Sequence, residues 1–91
     1  MSILERIKRN IIDREYYLSS HTEIELVEDN LTRHDVENAI LEGFLDKELT
    51  HDLRGTRYRI EGPALDGREI HVICRFLEEK QLLIITAYEL R

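Results

Sequence analysis

The chain has 91 residues, of which 42% are hydrophobic and 35% charged, and carries a formal net charge of −6. That length supports one domain with a modest core, and the apolar fraction excludes a disordered chain. Strong acidity also argues against general nucleic-acid binding, because neutralising phosphate supplies most of that affinity.

The charge is unevenly spread. Residues 1–52 hold six Lys/Arg against thirteen Asp/Glu, whereas residues 53–91 hold seven against six. Any contact with RNA is therefore expected on a local patch of the second half. The longest apolar run, Leu82 to Ala87, is strand-sized and far short of a membrane span. The first residues, MSILERIKRN, mix charge into their apolar positions and offer no small-residue cleavage site, so no secretory signal is expected. Cys74 is the single cysteine, so no internal disulfide can form, and a reducing, cytoplasmic location is expected.

In chain order, Ile3, Leu4, Ile7 and Ile11 recur at helical spacing, which predicts a helix over residues 2–12. Tyr16-Tyr17-Leu18 is a brief extended stretch. Ser19 or Ser20 can cap a second helix, with Glu23 completing a capping-box pattern after Ser20, and Asn30 suits the left-handed stop. Thr32 with Asp35 begins a third helix, whose Val36, Ala39 and Ile40 share a face and which Gly43 ends. Phe44 to Leu49 is a weakly defined strand. Arg57 to Gly62, Arg68 to Leu77 and Leu82 to Tyr88 are clearer strands, joined by an Asp66-Gly67 turn and an EEKQ turn. Helices first and strands second predict an α+β domain over residues 1–91, its N-terminal helices packed on one face of an antiparallel sheet of three to four strands.

Register places the polar residues. Pairing outward from Asp66-Gly67 without a break sets Arg59 opposite Cys74, and a bulge at Gly62-Pro63 repairs this. Tyr58 and Ile60 then share a face with Val72 and Cys74, and Arg57, Arg59 and Glu61 share the other with His71 and Arg75. Across the EEKQ turn, Leu77 pairs with Leu82, Arg75 faces Ile84, and His71 faces Tyr88. One sheet face thus carries Arg57, Arg59, His71, Arg75, Thr86 and Tyr88.

Cleaving RNA without a metal requires a base for the 2′-hydroxyl, an acid for the leaving oxygen and cations for the phosphorane. Histidine moves protons near neutral pH, tyrosine can be an acid, and arginine grips phosphate with two parallel hydrogen bonds. His71, Tyr88 and Arg75 supply those types in one patch. An ordinary cross-strand pair beside solvated arginines accounts for the same residues. His21 opens the second helix, where it can meet phosphate, act as a base, or simply cap. Cys74 on the apolar face reads as a buried, inert thiol. Four histidines and one cysteine show no metal-ligand spacing, so no metal or cofactor is expected. The Glu-rich helices read as solvated faces or as docking faces for a basic partner.

Two stretches, YYLSSHTEIELVEDNLTRHDVENAILEG and RGTRYRIEGPALDGREIHVICRF followed by LLIITAYE, resemble the bacterial "domain of unknown function 4258" family. That family is similar to the RelE and BrnT ribonuclease toxins, so the resemblance implies a RelE-like fold and a toxin paired with an antitoxin of zinc-finger or helix-turn-helix type. By position it places the family's histidines on His21 and His71, its threonine and tyrosine on Thr86 and Tyr88, and its Arg-Gly and Arg-Tyr-Arg elements on Arg54, Gly55, Arg57, Tyr58 and Arg59. Many members carry two arginines and a glycine where this chain has Glu25, Asp29 and Asn30, an exchange of cations for anions that would repel RNA if the helix faced it.

The expectation is a cytoplasmic, metal-independent endoribonuclease. His71 and His21 are its proton-transfer residues and Tyr88 assists, while Arg57, Arg59, Arg75 and Thr86 hold substrate. The competing expectation is a non-catalytic module of the same fold whose acidic helices bind a partner or a second copy, as a homodimer.

Overall fold

Among the described residues, each of the three α-helices begins at a side-chain hydroxyl, which satisfies one of the N–H groups a helix start leaves without a partner. Ser2 caps α1 (Ile3–Ile12), Ser19 caps α2 (Ser20–Glu28), and Thr32 caps α3 (Arg33–Glu42). The capping box belongs to α3, where Thr32 N–H donates to Asp35 Oδ2 at 2.7 Å and Asp35 N–H donates to Thr32 Oγ1 at 3.3 Å. Asn30 takes the expected left-handed conformation, φ 56°, just beyond α2. The computed structural model describes residues 1–51 and 53–91.

The strands are β1 (Tyr16–Leu18), β2 (Phe44–Leu49), β3 (Arg57–Pro63), β4 (Glu69–Phe76) and β5 (Leu82–Glu89), with a short 3₁₀ turn at Glu78–Lys80. They form one mixed sheet in the order β1-β5-β4-β3-β2. The expected antiparallel sheet of three to four strands is thus a five-stranded one. The brief stretch at Tyr16 joins as a parallel edge, with Tyr16 beside Leu82 and Leu18 beside Ile84. Three residues are too few for an alternating pattern to announce a strand, and parallel pairing with β5 has no local signal in sequence.

One face of the sheet is covered. α3 packs across β3 and β4, α2 packs on β5, and α1 lies against α3. Ile60, Ile70, Val72, Cys74, Leu82, Ile84 and Ala87 are buried there with Ile7, Ile11, Leu26, Val36, Ala39 and Ile40. α3 sits unusually close to β3. A Cβ on Gly62 would lie 2.0 Å from the Ala39 carbonyl oxygen, and one on Gly43 would lie 2.2 Å from the same atom. Among the described residues, no helix is long and apolar enough to cross a membrane.

Register sets which side chains reach the open face. Tyr58 pairs with Cys74, Ile60 with Val72 and Glu61 with His71, as alternation requires. The extra residue lies in the hairpin loop and not at Gly62-Pro63. Ala64 N–H donates to Arg68 O at 2.7 Å, Gly67 N–H donates to Ala64 O at 3.0 Å, and Gly67 takes φ 91°. Three residues, Leu65 to Gly67, therefore turn the chain, with Gly67 at the position that needs positive φ. Between β4 and β5, His71 faces Tyr88 as expected, but Arg75 faces Leu83 and not Ile84. The pairing steps from Ile73–Thr86 to Cys74–Ile84, which leaves Ile85 as a bulged residue.

Candidate active site

The open face divides by charge. At one end, β4 presents His71 between β3 and β5. Its Nε2 lies 2.9 Å from Glu61 Oε1 and its Nδ1 lies 3.2 Å from the Tyr88 hydroxyl. The two rings meet edge to face, with centroids 5.5 Å apart and planes at 79°. Asp46 joins them because β2 is bulged there. Leu45 pairs with Ile60 and Lys47 with Arg59, so Asp46 is skipped, and its Oδ2 comes within 3.9 Å of His71 Nε2. Arg59 donates to that same Oδ2 from both Nε and Nη2 at 2.7 Å. His71 is only 8% exposed, covered by these neighbours rather than by a helix. With Nε2–H donating to Glu61, Nδ1 carries a lone pair and can accept the Tyr88 proton. Carboxylate, imidazole and phenol then form a line along which a proton can shift.

The other end is basic. Arg54, Arg57, Arg75 and His21 line one cavity of ≈ 360 Å³ together with Ser19, Leu83 and Ile85. Arg57 and Arg75 come from adjacent strands. Arg54 comes from the β2–β3 connection, and Arg75 Nη1 meets its carbonyl oxygen at 3.5 Å. His21 sits in the first turn of α2, exposed, with Nε2 3.5 Å from Glu25 Oε1. The apolar Leu83 and Ile85 form part of the cavity wall, a surface on which a base can rest while the arginines meet phosphate.

The expected site residues thus fall into two groups. His71 and Tyr88 stand together with Arg59, which is turned toward Asp46. Arg57 and Arg75 stand with His21. The centres of the two groups are separated along β4 by Ile73, and His71 and Arg75 lie roughly 13 Å apart along the strand. Thr86 belongs to neither, since its Oγ1 donates to Glu25 Oε1 on α2. Glu61 was legible as a face partner of His71 but not as its ligand. Asp46 carried no signal, because FLDKEL contains no glycine or proline to mark a bulge.

Glu25 and Asp29, read in sequence as anions that would repel RNA, have a backbone task. β1 covers only the first residues of β5, and α2 closes the rest of that edge with side chains. Ser19 Oγ donates to Ile85 O at 2.8 Å and Thr22 Oγ1 to Ile84 O at 3.0 Å. Glu25 Oε1 accepts the Ala87 N–H at 3.1 Å, and Asp29 Oδ2 accepts the Glu89 N–H at 2.9 Å. A carboxylate can accept a strand N–H and an arginine cannot, so anions at these positions continue the hydrogen-bond ladder. Glu25, Glu28, Asp29, Tyr88, Glu89 and Arg91 also line a notch of ≈ 260 Å³, so Tyr88 borders a mostly acidic surface.

Cys74 is buried within the helix-covered face, and burial pushes its thiol up to about 12. It contributes no nucleophile at neutral pH.

No curated protein and no solved structure matches the chain. The model for the Domain of unknown function (DUF4258) matches residues 18–89, a span that runs from the end of β1 through β5 and holds every residue of both groups. The chain belongs to the DUF4258 family.

Proposed function

We propose that this protein is a cytoplasmic, toxin-type endoribonuclease that cleaves messenger RNA without a metal and is neutralised by an antitoxin of zinc-finger or helix-turn-helix type. One observation carries the reading: in an acidic chain, three arginines and a histidine line a single cavity on the uncovered sheet face. Their charge is local, which is where phosphate contact needs it. The 2′-hydroxyl attacks the adjacent phosphorus, its proton passes to a base, and the departing 5′-oxygen takes a proton, leaving a cyclic phosphate and a 5′-hydroxyl. Arg54, Arg57 and Arg75 hold the phosphate. His21 takes the 2′-hydroxyl proton at the cavity, and water supplies the proton to the departing 5′-oxygen. His71 and Tyr88, roughly 13 Å from Arg75 along β4, meet the neighbouring stretch of RNA, where Arg59 balances the carboxylates.

The test is growth on induced expression. Arrest by the native chain, relieved by His21→Ala or Arg75→Ala in equally abundant folded protein, supports the reading. No arrest from abundant folded protein counts against it.

A second reading, a non-catalytic interaction module, draws on α2. Ile24 is 58% exposed and Val27 81% exposed on the helix surface away from the sheet, flanked by Glu23 and Glu28. Isolated exposed apolar residues are ordinary, but two on one acidic helix suit a partner. Retention of a binding partner by a His21→Ala, Arg75→Ala chain with no effect on RNA would favour it.

A further inference from the structure

His71, Glu61 and Asp46 lie on three different strands, and one ligand atom from each falls within 4.8 Å of the other two. From this geometry we infer that the three side chains form a binding site for a divalent transition-metal ion of the zinc class.

The spacing suits such an ion. Bonds of about 2.0–2.2 Å to imidazole nitrogen and carboxylate oxygen set ligand atoms roughly 3.3 Å apart around a tetrahedral centre. The separations from His71 Nε2 are 2.9 Å to Glu61 Oε1 and 3.9 Å to Asp46 Oδ2, so small side-chain rotations suffice. One imidazole and two carboxylates favour zinc, manganese or nickel over the soft ions that need sulfur, and over calcium, which takes only oxygen.

Two further features fit ligation. The Tyr88 hydroxyl lies at His71 Nδ1, so when Nε2 binds an ion the Nδ1–H has an acceptor already in place. A fixed partner of this kind sets the tautomer and strengthens a metal-binding histidine. Asp46 reaches the cluster through the β2 bulge, while Glu61 and His71 pair directly on neighbouring strands. Arg59 contacts Asp46 Oδ2, the same oxygen that faces His71, so an ion bound there displaces the arginine toward Oδ1, which has lone pairs to receive it. Three protein ligands leave a fourth position open, and Asp46 is exposed, so solvent reaches it.

The inference does not rest on the ribonuclease reading. If both hold, the ion on Nε2 lies roughly 13 Å along β4 from Arg75, outside the cavity that holds the phosphate.

The test is calorimetric titration of the full chain with zinc chloride at neutral pH, with ¹⁵N spectra of the histidine rings. Saturable binding of one ion, a shift of His71 Nε2 on saturation, and at least tenfold weaker binding in Asp46→Asn and in Glu61→Gln are expected. Tyr88→Phe should weaken binding by about tenfold or more, as outer partners of metal-bound histidines do. His34→Ala and His51→Ala, which remove exposed histidines elsewhere, should leave it unchanged. Absence of saturable binding overturns the inference. So does binding that survives Asp46→Asn and Glu61→Gln but is lost with His34 or His51. Asp46 lies on an edge strand and its exchange for asparagine is nearly isosteric, so circular dichroism and thermal melting should show that variant folded.

Discussion

Asp29 Oδ2 accepts the backbone N–H of Glu89 at 2.9 Å, while its Oδ1 accepts from Arg91 at 2.7 Å. One carboxylate at the C-terminal cap of α2 thus finishes the ladder of β5 where β1 has ended. The acidic character of α2, which in sequence read as a solvated face, a docking face or a barrier to RNA, is at this position a means of closing a sheet edge.

Removing that acceptor leaves a partly buried N–H without a partner, at a cost of about 1–3 kcal/mol. Asp29→Ala is therefore expected to lower stability by that amount in urea denaturation and to speed hydrogen exchange at Glu89. Glu25→Ala should act the same way at Ala87. A loss of stability without faster exchange at those two amides would show that the carboxylates act otherwise.

Gly62 faces the Ala39 carbonyl so closely that a methyl group would overlap it, and the three nearest atoms, Ala39 O, Ala39 C and Gly43 Cα, are all backbone. Gly62→Ala should force α3 away from β3 and destabilise the fold by about 3 kcal/mol or more, at the upper end of overpacking costs. Chemical denaturation of the variant measures this directly.

Burial raises the Asp35 carboxyl, but hydrogen bonds from the Leu65 N–H and from Thr32 outweigh it and hold the group below its ordinary value. A carboxyl lowered on folding adds stability above its unfolded value of about 3.9, and that stability is lost as pH falls through the lower folded value. At neutral pH, Asp35→Ala should cost about 1–3 kcal/mol, because it leaves the Thr32 and Leu65 N–H groups without their acceptor. The gap between variant and native chain should narrow with acidification, and denaturation curves across pH follow it.

Cys74 should resist thiol reagents in the native chain and react only on unfolding, since burial holds its proton. Labelling rates with and without denaturant test this.

Much of the fold could be read from residue patterns, and the failures have physical causes. Alternation in Arg57–Gly62 and in the β4 segment was enough to put Glu61 on the face of His71 and to pair His71 with Tyr88. The one-residue slip was also legible, but its place was not, because Pro63 and Gly67 are both residues that irregular backbone favours. The Ile85 bulge had no marker at all, so Arg75 was set one residue out of register. Asp46 was invisible for the same reason. The chemical types on the open face were readable; their division into an acidic and a basic end was not, since that depends on β2 carrying Asp46 and α2 carrying His21 from distant parts of the chain.

Arginines that neutralise phosphate make binding depend on salt, each contact to a single strand contributing about 0.7 to the slope of log affinity against log salt concentration. Arg57→Ala and Arg75→Ala should each flatten that slope by about 0.7 for a short single-stranded RNA, whatever its sequence. Filter binding across a salt series reads both slopes.

The most direct test of the account is cleavage of end-labelled messenger RNA by purified protein in the presence of a chelator. The native chain should cut, leaving 2′,3′-cyclic phosphate ends, and an Arg57→Ala, Arg75→Ala chain of unchanged fold should cut at least about a hundredfold more slowly, since each lost charge-assisted contact is worth roughly 1.5–3 kcal/mol. Absence of cleavage by folded native protein, or cleavage indifferent to loss of both arginines, would contradict it.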